Sequence, residues 1–135
     1  MRILLVGAGG VGSAFCSIAV RRDFFDSVVV ADYALESAQR AVAAVGDARF
    51  SAAQVDASDP SSVEALARTS GATHVMNAVD PRFVMPIFEG AIAAGADYLD
   101  MAMSLSKPHP DQPHSKTGVK LGDEQFAAAA QWEAA

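Results

Sequence analysis

Three glycines near the start of the chain, Gly7, Gly9 and Gly12, fit the spacing G-x-G-x-x-G. That spacing suits the binding of a pyrophosphate, and each glycine has its own reason. Gly7 allows a tight turn, Gly9 lets the backbone approach the anion, and Gly12 lets a helix pack closely on a strand. The neighbours Gly10 and Val11 would present backbone amides from the first turn of that helix, whose dipole favours negative charge. Asp32 lies twenty positions beyond Gly12, the usual offset for a carboxylate that accepts hydrogen bonds from the adenosine ribose. Together these residues point to a dinucleotide, with NAD preferred over NADP because a carboxylate repels a 2′-phosphate.

A glycine pattern alone could be an ordinary turn, so its setting decides. Ile3 to Val6 form the short apolar run of a strand buried on both faces. Val11, Ala14, Phe15, Ile18 and Ala19 then recur at helical spacing, with Arg21 and Arg22 near the expected helix end. A second strand, Val28 to Ala31, runs into Asp32. A helix over 34–45 stops at Gly46, and a third strand over 50–55 leads into Asp56. Asp59-Pro60 reads as a capped start for a helix that buries Val63, Leu66 and Ala67. A fourth strand over 74–79 is followed by Asp80-Pro81 and another helix, and a fifth strand by residues 97–102.

Strands alternating with helices imply a single α/β domain over 1–135, a Rossmann-type doubly wound parallel sheet of strand order 3-2-1-4-5. Ligands of such sheets bind outside the carboxyl ends of the strands. That places Asn77, Ala78 and Val79 beside the nicotinamide half, where the Asn77 amide either bonds the ribose or ties down the adjoining loop. Asp56 either reaches the adenine amino group or caps a turn. From Ser104 to Leu121 periodicity lapses, and that segment is a functional or a disordered loop. Residues 123–135 are alanine-rich and predicted helical, with apolar surface near Trp132 left exposed and apt to pair two chains as a homodimer.

Composition narrows the classes. A net charge of −6 argues against a nucleic-acid surface. No run approaches the length of a membrane span. The single cysteine, Cys16, cannot form an internal disulfide and reads as a packing residue. With no charged leader before the first strand, the expected location is the cytoplasm. His109 and His114 flank Asp111 in the irregular segment, but five-residue spacing in a proline-rich stretch fixes no ligand geometry, so no metal site is expected. His74, at the start of strand four, reads as structural.

The stretches ILLVGAGGVG, VVVAD, AAQVDASD, VMNAVDPRF and GADYLDMA resemble the NAD(P)-binding domain of the saccharopine dehydrogenase family, which includes saccharopine reductases, lysine dehydrogenases and carboxynorspermidine dehydrogenases. The last two stretches separate this family from other Rossmann proteins. The resemblance implies an oxidoreductase acting on amino-acid C–N bonds. Gly7, Gly9, Gly10, Val11 and Gly12 would hold pyrophosphate, Asp32 the adenosine ribose, Asp56 the adenine, and Asn77, Ala78 and Val79 the nicotinamide half. Members that use NADP tend to carry a small residue followed by arginine where this chain has Asp32-Tyr33. Family enzymes also continue into a larger substrate domain, which would hold the catalytic residues and the amino-acid substrate. The competing reading is a regulatory NAD-sensing domain of the potassium-transport type, which shares the glycine turn, the aspartate and a turn like Asp56-Ala57-Ser58-Asp59.

Overall fold

In the computed structural model, which describes residues 1–134, five parallel strands make one sheet of order β3-β2-β1-β4-β5. Strand β1 (Arg2–Val6) lies at its centre, flanked by β2 (Ser27–Asp32) and β4 (His74–Asn77). Strand β3 (Phe50–Gln54) and strand β5 (Asp97–Leu99) form the two edges. Helices α1 (Gly10–Ala19), α2 (Leu35–Val45), α3 (Pro60–Ser70) and α4 (Val84–Ala94) connect them.

The unbroken apolar run of β1 follows from its position. Alternate side chains point to opposite faces, so Ile3 and Leu5 join Cys16, Val28, Val30 and Ala38 in one core beneath α1 and α2. Leu4 and Val6 join Val63, Val75, Ile87 and Ala91 in a second core beneath α3 and α4. Leu4, Leu5 and Val6 are fully buried, each worth about 1.5–3 kcal/mol of apolar burial. The two helices over the second core approach closely at Gly90, where a Cβ would meet the Val63 Cβ at 2.7 Å.

Local chemistry sets the element ends. The Asp59 carboxylate accepts from the Ser61 amide at 2.9 Å and Pro60 occupies the first turn of α3, satisfying one otherwise orphaned donor. Helix α3 stops at Gly71, whose φ of 62° is the left-handed conformation glycine adopts without strain. Strand β4 ends two residues early because the Asn77 side chain turns back to accept from the Val79 amide at 3.0 Å. Helix α1 ends at Ala19, short of Arg21 and Arg22.

Other expectations are met only in part by this fold. The fifth strand covers three residues rather than six, since the Asp100 carboxylate accepts from the Met103 amide at 3.2 Å and Met103 turns with a φ of 60°. The alanine-rich terminus is helical, in two short pieces, α5 (Asp123–Ala127) and α6 (Ala129–Ala134), with Ala128 between them; Ala135 lies outside the described residues. Trp132 itself is half-buried, packed on the second core with its ring 5.1 Å from that of Phe88. The large side chain left in solvent there is Phe126, at 68% exposure.

The segment after β5 has order of its own. Lys107 and Val119 exchange two antiparallel backbone hydrogen bonds of 2.9 Å, and the Lys107 ammonium meets Glu124 at 2.6 Å. Among the described residues no helix is long and apolar enough to cross a membrane.

Cys16 is fully buried in the first core, and desolvation raises its thiol pKa above the ordinary value. Since the thiolate is the reactive form, Cys16 is expected to resist aromatic disulfide reagents at pH 8 and to react at once in denaturant. Equal rates in both conditions would show that the helix over it opens readily.

Candidate functional site

The carboxyl end of β1 opens onto the glycine turn, and the three motif glycines have three different surroundings. Gly7 has a φ of 107°, and a Cβ there would lie 2.6 Å from the Val79 Cγ1 and 2.8 Å from the Ala78 oxygen. The residues following β4 therefore roof the turn directly. A Cβ on Gly12 would overlap the Gly7 carbonyl oxygen, so α1 can sit this close to the strand only with glycine at that position. At Gly9 and Gly10 an added Cβ meets no protein atom within 4 Å. Packing does not require glycine there, and the space is open to a ligand.

The amides beside that space lack partners within the helix. Gly9 caps α1 without any side-chain hydrogen bond, and Ser13 is the residue whose amide first reaches back, to the Gly9 oxygen at 2.9 Å. Amides of the first helical turn have no intrahelical acceptor, so those of Gly10, Val11 and Gly12 face the opening with the positive end of the helix dipole behind them. Val11 takes part through its backbone, its side chain being exposed.

Asp32 stands at the end of β2 across from the turn. One carboxylate oxygen accepts from the Ala8 amide at 2.9 Å and the other from the Ala34 amide at 3.0 Å. Each oxygen retains a second lone pair, which two vicinal hydroxyls could use. A cavity of about 420 Å³ extends from there, lined among others by Gly7, Tyr33, Asp56, Ser58, Val79 and Phe83. Asp56 is at its wall, and one of its oxygens accepts from both the Ser58 hydroxyl at 2.6 Å and the Ser58 amide at 2.9 Å. Those two donors hold the Asp56 carboxyl below its usual range. The other oxygen accepts no hydrogen bond from the described residues and can accept from an amino group.

The structure thus brings the glycine turn, Asp32, Asp56 and Val79 to one opening. Asn77 is different, because it is 2% exposed and both ends of its amide are engaged inside the protein. What it offers the crevice is the position of the Ala78–Val79 backbone. Tyr33, Ser58 and Phe83 line the cavity although sequence reasoning did not select them; their signal was adjacency to a strand-end acid or to a capped helix start. His74 pairs with Thr73 at 2.8 Å and with Asp97 at 3.3 Å, at the opposite end of β4. His109 accepts two backbone amides, from Asp111 and Gln112, within its own loop. Among the described residues no three His, Cys, Asp or Glu side chains cluster as a metal site would require.

Over residues 3–135 the chain matches the family described as saccharopine dehydrogenase NADP binding domain. It is 28% identical, over 101 residues, to the carboxyaminopropylagmatine dehydrogenase of Synechocystis sp., a match that covers 75% of this chain and 25% of that protein. Apo saccharopine dehydrogenase (L-Glu forming) from Saccharomyces cerevisiae has a similar structure, with a TM-score of 0.63 and 22% identity, over 81% of this chain and 22% of that one. The Bordetella bronchiseptica enzyme WbmG in complex with NAD gives a TM-score of 0.60 and 19% identity, over 100% and 50%. Both structural likenesses are likenesses of fold. The chain spans about a quarter of the length of the curated relative and of the yeast enzyme.

The contrast between the glycines predicts unequal stability effects. Gly12→Ala forces a Cβ into the Gly7 carbonyl and is expected to cost about 3 kcal/mol, a fall of roughly 10 °C in melting temperature for a domain of this size. Gly9→Ala, with open space around it, is expected to stay within about 0.5 kcal/mol of the parent, as surface substitutions do. Calorimetric scanning of both variants checks this, and equal melting temperatures would contradict the packing role of Gly12.

Proposed function

The chain belongs to the saccharopine dehydrogenase NADP binding domain family, and from that premise we propose that it is the nicotinamide-dinucleotide-binding part of an oxidoreductase acting on amino-acid C–N bonds. The observation that carries this reading is the open space at Gly9 and Gly10 beside amides with no acceptor in the helix, a cradle that fits a pyrophosphate and that the fold itself does not need. The family match favours an oxidoreductase over the regulatory reading. In this assignment Gly9, Gly10, Val11 and Gly12 hold the pyrophosphate by their backbone, Asp32 accepts from the adenosine ribose, Asp56 faces the adenine, and Ala78 and Val79 border the nicotinamide half. Bound there, the dinucleotide supplies the donor or acceptor for hydride exchanged with the substrate carbon. Such transfer needs that carbon held in fixed orientation in a pocket closed to water. The substrate-holding groups belong to the larger part of the relatives that this chain does not match. The lone, buried Cys16 supports a reducing, cytoplasmic location.

Titration of the purified chain with NAD, followed by calorimetry, tests the assignment. Saturable binding is expected for the parent and its loss in Gly9→Val, at an unchanged melting temperature. No turnover is expected with NAD and lysine or saccharopine. Matching titration curves for parent and variant would remove the phosphate role.

For the choice of cofactor, the family description names NADP, whereas Asp32 speaks for NAD. The Asp32 carboxylate accepts from ribose hydroxyls and would repel a 2′-phosphate. Arg40, hydrogen-bonded to Ser37 at 3.1 Å in a groove with Ala8, lies two helical turns beyond Asp32 and does not cancel its charge. The parent is therefore expected to bind NAD at least about tenfold more tightly than NADP, a difference of about 1.4 kcal/mol. Asp32→Asn, which keeps an acceptor and removes the charge, should close most of that gap. Tighter binding of NADP by the parent would overturn the assignment.

A further inference from the structure

Resting on the dinucleotide reading above, we propose that Tyr98 is a positioning residue for the cofactor, acting through Asn77 to hold the Ala78–Val79 backbone over the glycine turn. The relay begins at a donor whose needs are fixed. The Val79 amide can only donate, so the Asn77 side chain must present its oxygen to it, at 3.0 Å. That orientation turns the Asn77 nitrogen toward Tyr98, whose hydroxyl oxygen accepts from it at 3.0 Å. The hydroxyl that accepts from Asn77 keeps its own proton turned away from that bond.

Asp100 is held as well. Its oxygens accept from the Gln125 side-chain amide at 2.8 Å and from the Met103 amide at 3.2 Å. The Gln125 oxygen accepts from the Ser104 amide at 2.7 Å. Burial and the neighbouring Asp100 raise the Tyr98 hydroxyl well above its ordinary pKa, so it stays a hydroxyl at any working pH. Tyr98, Asn77 and Val79 thereby have one consistent donor or acceptor sense.

The far end of this chain of bonds is the site. Val79 lines the cavity that Asp32 and Asp56 share, and its Cγ1 occupies the space a Cβ on Gly7 would need. Removing the Tyr98 hydroxyl leaves a buried Asn77 donor without its partner. A buried donor left unpaired is costly, and the Asn77 amide loses the second bond that fixes its orientation toward Val79. The Tyr98 ring itself stays in place, since it packs edge-to-face on Phe88 at 5.3 Å.

Tyr98→Phe, Asn77→Ala and the double variant test this. By NAD calorimetry, Tyr98→Phe is expected to weaken binding about tenfold, or roughly 1.4 kcal/mol, and Asn77→Ala at least as much. The double variant should be no worse than Asn77→Ala alone, because the two side chains act in series. In the cofactor-free chain, hydrogen exchange at the Val79 amide should speed up in Tyr98→Phe while amides of α2 stay as in the parent. A parent that binds no dinucleotide would sink the functional reading. A parent that binds, with Tyr98→Phe binding equally well, with losses that multiply in the double variant, or with unchanged exchange at Val79, would sink the role of Tyr98.

Discussion

Strand β1 has neither a free edge nor a free face. Both neighbours bond to it in parallel register, and each face lies under a pair of helices, so no polar side chain between Ile3 and Val6 could find water or a partner. A strand so enclosed can meet a ligand only at its end. The chain must then leave the sheet within one residue, and the glycine turn does this, with the Gly7 amide bonded to Ala31 of β2 at 2.7 Å and the residues after β4 lying against it. Placement of the turn, of Asp32 and of Val79 thus follows from the burial of one strand.

The glycines divide the work in a way the motif does not display. Gly7 and Gly12 answer to the protein, one through its positive φ and its roof, the other through a carbonyl against which α1 rests. Gly9 and Gly10 answer to nothing in the protein. A motif that reads as one signal is therefore two constraints laid over each other, one serving the fold and one reserving volume beside donors the helix cannot satisfy.

Order, direction and approximate extent of the strands were legible because each depends on a local pattern: an apolar run, a helical period, or a cap such as Asp59-Pro60. Asp32 and Asp56 could be placed at the strand ends for the same reason. The features that escaped are those decided by distant partners. Periodicity could not show that Asp100 would bend the chain after Leu99, because that bend depends on Met103 and Gln125. Nor could composition show that the helix would break at Ala128, since every alanine there has the same preference, and the contact of Trp132 with Phe88 lies across the molecule. For Asn77 two roles were open from sequence, and it is its burial beside Tyr98 that engages its amide within the protein.

The irregular segment between β5 and α5 has a different lesson in its neck. Lys107 and Val119 face each other as a two-residue rung, and Lys107 is tethered again to Glu124. Closing a loop at such a clamp makes its free energy depend only weakly on how many residues lie beyond it, each doubling costing about 0.6 kcal/mol. What Pro108 to Thr117 contain is consequently almost independent of the sheet below. Peptides could be grafted, lengthened or randomised there while the core keeps its register, which makes this rim a natural place for new specificity to be built.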